Sequence, residues 1–172
     1  AARQFGIAVL ALSASHHFAA LWPETEAYAE RGLAALSGVS YMPAVAPAGG
    51  AKALFGTNPI SFAWPRPDQT PVVFDMATAA MAKGDVMIAA RDGHDLPPGT
   101  GLDADGKPSC DATEVLKGVL LPFGGYKGSA LAMMVELLCA GMVGERFSYE
   151  AAKVDNSDGG PAGGGEFLLA MS

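Results

Sequence analysis

Residues 59–76, PISFAWPRPDQTPVVFDM, contain two short apolar runs, 59–64 and 72–76, on either side of a polar, proline-rich turn. Short runs that contain aromatic and β-branched residues and are bounded by turn residues are typical of β-strands. The length of the connection favours antiparallel neighbours. The sequence therefore predicts a hairpin at this point, and the other elements are considered relative to it.

Further apolar runs predict additional strands and helices around the hairpin. The predicted strands are residues 5–12, 33–39 and 166–171, and the predicted helices are residues 23–32, 79–90 and 129–143. The run at 5–12 is continuously apolar, so that strand is expected to be buried on both faces. The last helix is apolar nearly all round and is expected to be buried. Together these elements predict one α/β (α+β) domain, a sheet with helices packed on it.

Composition narrows the classes of function. Half of the 172 residues are hydrophobic, and 18 acidic residues outnumber 11 basic ones, for a formal charge of -7. Because nucleic acids and anionic membranes attract basic surfaces, neither is expected as a partner. The uncharged stretch 4–23 is interrupted by serines and histidines and closed by a proline, which argues against a spanning helix. Two cysteines are too few for a disulfide scaffold, so a reducing, cytoplasmic setting is expected.

Common catalytic and nucleotide-binding motifs are missing from the sequence. It contains no G-x-G-x-x-G dinucleotide fingerprint, no Walker A motif and no G-x-S-x-G elbow. His16 and His17 are adjacent, so on a strand they point to opposite faces, and no third ligand lies at metal-binding spacing. No metal site is predicted.

Two segments could hold an anion such as phosphate. Ser15, His16 and His17 lie where a predicted strand gives way to a helical turn, so their donors could gather around an anion; the alternative is a capping and packing cluster. The glycine-rich stretch 123–128 opens the predicted helix at 129–143 and contains Lys127. Glycines let a ligand approach the backbone, and the lysine adds a positive charge. A helix start with a solvated lysine is the alternative there.

Two further segments carry polar groups beside apolar runs. Asp75 ends a predicted strand, and Asp85 lies in an otherwise apolar stretch. A half-buried carboxylate is costly unless paired, so Asp85 is expected to be either a salt-bridge partner, to Lys83 or Arg91, or a support for acid–base chemistry. Thr57 lies in the turn 56–59, where its hydroxyl could contact a ligand.

Four segments together resemble a known family. They are SHHFAALW (residues 15–22), GTNP (56–59), DMAT (75–78) and PFGGYKG (122–128). In this order they are similar to the malate/L-lactate dehydrogenase-like oxidoreductases, which are unrelated in fold to the Rossmann-type malate and lactate dehydrogenases. The first segment is most similar to the Δ1-piperideine-2-carboxylate/Δ1-pyrroline-2-carboxylate reductase branch. The resemblance extends over essentially the whole chain.

The resemblance implies a non-Rossmann nicotinamide-binding domain with a largely antiparallel sheet flanked by helices. It assigns cofactor contacts to His17, Phe18, Ala19, Ala20, Leu21, Asp75, Met76, Ala77, Tyr126 and Lys127. It assigns substrate contacts to Thr57, Lys83 and Gly84, and to Asp85 the support of a proton-delivering histidine.

The activity that the resemblance implies is reduction of a cyclic 2-imino acid by NADPH, or by NADH, in a homodimeric enzyme. Family members also carry an N-terminal lobe with a Ser-His pair and a C-terminal stretch, so residues 1–172 are expected to be the central, cofactor-binding domain of a longer chain. Two alternatives stay open: a reductase of 2-keto acids that uses the same residues, and an isolated nucleotide-binding domain without activity.

Overall fold

The computed structural model describes residues 1–15, 20–155 and 163–172. Its strands are β1 Ile7–Ser15, β2 Ala34–Val39, β3 Ile60–Arg66, β4 Gln69–Met76, β5 Gly101–Leu102, β6 Pro108–Ser109, β7 Val119–Leu120 and β8 Gly164–Met171. Its α-helices are α1 Ala2–Phe5, α2 Trp22–Ala29, α3 Lys83–Asp92, α4 Ala112–Lys117, α5 Tyr126–Glu136 and α6 Ser148–Ala151, and a π-helix, Leu137–Gly141, continues α5.

The strands form a five-stranded sheet in the order β1-β8-β2-β3-β4 and a small three-stranded sheet in the order β6-β5-β7. All of these strand pairs are antiparallel, which confirms the predicted fold class. The predicted hairpin is β3-β4, with Phe62 opposite Phe74. Their rings lie 5.6 Å apart, so an aromatic cross-strand pair stabilises the hairpin.

Helices pack on both faces of the large sheet. On one face α2 lies against β3, where the hydroxyls of Thr25 and Ser61 are 2.7 Å apart in a buried hydrogen bond. On the other face Val135 of α5 and Cys139 of the π-helix pack on Ile60 and Phe167. A π-helix often lies near a functional site. Buried residues thus lie on both sides of β2, β3 and β8, and a separate buried cluster that contains Ala79, Val86 and Val115 joins α3 and α4.

Strand β1 is not buried on both faces, so that prediction is wrong. Ile7, Val9 and Leu10 are 54%, 53% and 47% exposed. The strand lies at the edge of the sheet and pairs with β8. Within the described ranges, no element covers the outer half of these side chains. A continuous apolar run therefore marks an edge strand with an open surface in this chain.

The two long helices differ from their predicted limits. Helix α3 begins at Lys83 rather than at residue 79, because Ala79 and Ala80 bridge instead to Pro122 and Leu121. It ends at Asp92, and Gly93 then adopts a left-handed conformation. Helix α5 begins at residue 126, and its outer side is open: Met133 is 51% exposed, so the prediction of burial all round is also wrong.

Among the described residues, no helix has both the length and the apolar character to cross a lipid bilayer. That part of the chain also contains no group of three or more His, Cys, Asp or Glu side chains that could hold a metal ion.

Candidate active site

Three of the four motif segments meet at Thr78. The backbone N–H and the hydroxyl of Thr78 both donate to the carbonyl oxygen of Thr57, at 2.9 and 3.0 Å. The carbonyl of Thr78 in turn accepts from the N–H of Phe123, at 3.1 Å. Thr78 is fully buried, so these hydrogen bonds are shielded from water and hold the backbone of the three segments together. We call this arrangement the Thr78 junction.

The glycine-rich turn joins the junction through a close backbone approach. The N–H of Gly128 donates to the carbonyl of Phe123, at 3.0 Å. A Cβ atom at Gly128 would overlap that carbonyl and would lie 2.9 Å from the carbonyl oxygen of Thr78. Only glycine fits at this position without moving the backbone.

Two side chains predicted to contact a cofactor extend from the start of α5 into solvent. Tyr126 is 72% exposed, and Lys127 is exposed as well. Gly124 and Gly125 before them have φ angles of 57° and 63°, and no side chain caps the helix. Among the described residues, Lys127 forms no ion pair. The turn also borders an open cleft of about 540 Å³, lined by residues that include Pro98, Gly99 and 121–125.

Asp75 anchors the fourth segment. Its Oδ2 atom accepts hydrogen bonds from the backbone N–H groups of Leu21 and Trp22, at 2.6 and 2.9 Å. These are the first donors of α2, and a carboxylate at that position stabilises a helix start. Ala20 is exposed, whereas Leu21 is fully buried and its N–H is already occupied. The predicted contacts of His17, Phe18 and Ala19 lie outside the described residues.

Met76 and Ala77 connect Asp75 to the Thr78 junction. Met76 is 39% exposed, and Ala77 is half-buried against the core cluster that contains Ala79 and Val86. Since Val86 belongs to α3, the same cluster seats that helix beside the junction.

The remaining predicted site residues lie in the first turn of α3. Lys83, Gly84 and Asp85 are all exposed, so the expectation of an apolar setting for Asp85 is wrong. Met87 and Ile88, which made the sequence apolar here, are themselves 56% and 49% exposed. Neither predicted salt bridge of Asp85, to Lys83 or to Arg91, is among the ion pairs of the described residues, and Arg91 pairs with Asp92 at 2.7 Å.

A buried carboxylate under the junction was missed by the sequence analysis. Glu136, at the end of α5, is 4% exposed and accepts four hydrogen bonds. The donors are the N–H of Gly56 at 3.3 Å, the side-chain amide of Asn58 at 2.8 Å, and the N–H and hydroxyl of Ser148 at 2.9 and 2.5 Å. The signal in the sequence was a single charge within the apolar run 130–140.

Nucleophilic chemistry by the buried cysteine is not supported. Burial raises the pKa of the Cys139 thiol to about 12, so the thiol stays protonated near neutral pH.

The described residues of the candidate site offer groups that can bind a ligand. These groups are an exposed lysine, a glycine-rich turn and a threonine whose backbone is held by hydrogen bonds.

Comparison with known proteins identifies the family of the chain. The family model described as malate/L-lactate dehydrogenase matches residues 1–172. The chain belongs to this family. A relative from Pseudomonas putida, named Δ1-pyrroline-2-carboxylate/Δ1-piperideine-2-carboxylate reductase, is 62% identical over 150 residues, which are 87% of this chain and 44% of the relative.

Solved structures of the family show the same fold. Δ1-piperideine-2-carboxylate reductase from Pseudomonas syringae pvar. tomato has a TM-score of 0.93 and 52% identity, over 99% of this chain and 52% of that one. Sulfolactate dehydrogenase from Methanocaldococcus jannaschii has a TM-score of 0.85 and 32% identity, over 99% and 49%. This family member thus spans about half the length of the relatives that it matches.

Proposed function

We propose that the full-length protein containing this chain reduces cyclic 2-imino acids, converting Δ1-pyrroline-2-carboxylate to L-proline and Δ1-piperideine-2-carboxylate to L-pipecolate, with a reduced nicotinamide cofactor. The observation that carries the proposal is the 62% identity to a reductase named for both imino acids. A family member named for a hydroxy-acid substrate is only 32% identical. Proteins that share a fold can act on different substrates, so the fold alone does not identify the substrate. The higher identity to the reductase therefore favours the imino acids.

The cofactor site is proposed at the glycine-rich turn and the segment that Asp75 anchors. Lys127 is exposed and, among the described residues, unpaired, so its ammonium group is free to bind a phosphate. Gly124 and Gly125 leave the backbone at the start of α5 accessible. The Oδ1 atom of Asp75 accepts no hydrogen bond from any described residue. We propose NADPH as the preferred form and NADH as the second.

A bound nicotinamide supplies the hydride that reduces the C=N bond. The chain's own groups bind and orient the substrate. We assign the substrate carboxylate to the ammonium group of Lys83, with the Gly84 backbone and the Thr57 hydroxyl as further contacts. Because the Thr57 carbonyl is clamped to Thr78, this threonine is held in place before substrate arrives.

Asp85 is proposed to orient a histidine that delivers a proton to the substrate nitrogen. That histidine would come from another part of the full-length protein. A carboxylate beside a histidine selects its tautomer and stabilises its charged form. The exposure of Asp85 supports this role, since an exposed carboxylate is available to a group outside this chain.

Assembly and location are part of the same proposal. We propose a homodimer in the cytoplasm. An apolar band on β3 and β4, with Trp64 54%, Val72 49% and Phe74 44% exposed, supports a covered surface in the full-length protein. Size-exclusion chromatography with light scattering measures the assembly directly.

A substrate panel tests the proposed activity. Oxidation of NADPH and of NADH by the full-length protein is followed with both cyclic imino acids, pyruvate and oxaloacetate. We expect kcat/KM to be highest for a cyclic imino acid. Higher kcat/KM with a 2-keto acid would replace this proposal with a 2-hydroxy-acid dehydrogenase. Cofactor binding without turnover of any substrate would instead indicate a nucleotide-binding protein.

A further inference from the structure

The turn that carries Thr57 is fixed by hydrogen bonds on both sides of that residue. Before it, the N–H of Gly56 donates to Glu136 and to the hydroxyl of Ser148, at 3.3 and 3.0 Å. At Thr57 itself, the carbonyl is held by Thr78. After it, Asn58 has a φ of 41° and is fully buried. The backbone of Thr57 thus has little freedom, whereas its hydroxyl donates to no described residue.

Asn58 maintains this conformation through Glu136. Its side-chain amide donates to Glu136 at 2.8 Å and to the carbonyl of Ala132 at 3.0 Å. Asparagine tolerates the left-handed region better than most residues, and hydrogen bonds of its side chain offset the remaining strain. The turn therefore depends on an acceptor that lies 78 residues further along the chain.

The chemistry of Glu136 matches a charged acceptor. Four donors point at its two oxygen atoms, and no cation among the described residues pairs with it. Buried carboxylates without a counter-ion are stabilised by several hydrogen bonds to the charged form. A neutral glutamine carries one acceptor and one donor group, so at least one of the present donors would face another donor.

We propose, on the basis of the function proposed above, that Glu136 is a positioning residue for substrate binding. Its carboxylate holds the Gly56–Asn58 turn, and so it sets the place of the Thr57 hydroxyl. Glu136 itself is buried beneath the turn and acts through Thr57. If the Glu136 carboxylate no longer holds the turn, the binding of substrate is weakened. The cofactor site, proposed at the glycine-rich turn and near Asp75, stays intact.

The test uses E136Q in the full-length enzyme, measured with the substrate that the wild type turns over best. Because displaced binding groups can cost up to about 100-fold in rate or binding, we expect KM for the substrate to rise on the order of 10- to 100-fold. The cofactor dissociation constant should stay within about twofold. V135A is the matched control. Val135 is the residue before Glu136 and is buried against the sheet, but its apolar side chain forms no hydrogen bond to the turn. It should lower Tm and leave KM unchanged.

A double-mutant cycle with T57V separates positioning from general damage. If Glu136 acts through Thr57, E136Q in the T57V background should raise KM little beyond T57V alone. Additive effects on KM would overturn the proposal, and so would an E136Q enzyme with lower Tm and unchanged KM. If E136Q does not fold, S148A removes one donor to Glu136 and decides in the same way: a raised KM supports the proposal, and an unchanged KM overturns it.

Failure of the proposed function is visible separately, in the wild type. If the wild type prefers a 2-keto acid, the substrate assignment is wrong, but the ratio of variant to wild-type KM still decides the role of Glu136. If the wild type turns over nothing in the panel, the proposed function is wrong and the positioning role is overturned with it.

Discussion

The buried polar residues beneath the candidate site, which we call the support, differ from the exposed polar residues at its surface, which we call the rim. The difference lies in whether their side chains are hydrogen-bonded within the protein. In the support, Glu136, Asn58 and Thr78 are buried and hydrogen-bonded to segments distant in sequence. On the rim, Lys127 and Asp85 are exposed and form no ion pair with any described residue. A buried side chain that hydrogen-bonds to distant segments fixes the fold, whereas an exposed and unpaired side chain can bind a ligand. Loss of a support residue should therefore affect folding or geometry, and loss of a rim residue should affect chemistry or binding.

The largest effect is expected at Asp85, on the rim. In the full-length enzyme, Asp85→Asn should lower kcat by roughly 10²–10⁴-fold, because the proton-donating histidine loses its charged partner. Tm and the cofactor dissociation constant should hardly change, since the side chain is exposed. Steady-state kinetics and thermal unfolding of one preparation measure both.

The control for Asp85 lies on the same helix. Asp92→Asn makes the same chemical change at an exposed carboxylate that pairs with Arg91. Surface pairs of this kind contribute about 0–1 kcal/mol, so kcat and Tm should both stay near wild type. If Asp85→Asn lowers Tm strongly and leaves kcat near normal, Asp85 belongs to the support and not to the mechanism.

A smaller effect is expected at Lys127, and it should appear in binding. Lys127→Ala should weaken cofactor binding by about 1.5–3 kcal/mol, the range for hydrogen bonds to charged groups. Isothermal titration with NADPH measures this change. Lys117→Ala is the control, because Lys117 is equally a surface lysine but pairs with Glu114 at 2.7 Å. Equal cofactor affinities for wild type and Lys127→Ala would leave the residue as a solvated lysine at a helix start.

The smallest effect is expected at Asp75, which combines both roles. Asp75→Ala removes the acceptor for Leu21 and Trp22, so the protein should lose about 0.5–2 kcal/mol of stability, as is usual for helix caps. Asp111→Ala is the matched comparison, since Asp111 caps α4 through Thr113 and Glu114. Chemical denaturation of the variants measures the loss. A stability equal to that of wild type, with strongly weakened cofactor binding, would place Asp75 on the rim alone.

Local pattern was sufficient to predict the hairpin and the class of fold. The runs at 59–64 and 72–76 are short, adjacent and separated by turn residues, so their pairing follows from the sequence itself. Burial was harder to predict, because apolar residues near Asp85 and in β1 lie on open surfaces. An apolar stretch is buried only where another helix or strand of the fold packs on it.

The support of the site was beyond local pattern. Glu136 is bonded to Gly56 and Asn58 across 80 and 78 residues, and no spacing rule connects positions so far apart. The Thr78 junction likewise joins segments that are separate in the chain. The resemblance identified the segments themselves, but the hydrogen bonds between them became visible only in three dimensions.

The order of the strands also determines when the sheet can form during synthesis. Strand β8 lies between β1 and β2 and is translated after both. Ser15 of β1 and its partner Gly164 are 149 residues apart, so at ordinary elongation rates β1 waits about 7 to 30 s for its partner. Through that interval the nascent chain exposes an apolar strand that has no partner strand, which is the kind of surface that chaperones bind. This sheet is therefore completed when the last strand to be translated, β8, pairs between the two earlier strands β1 and β2.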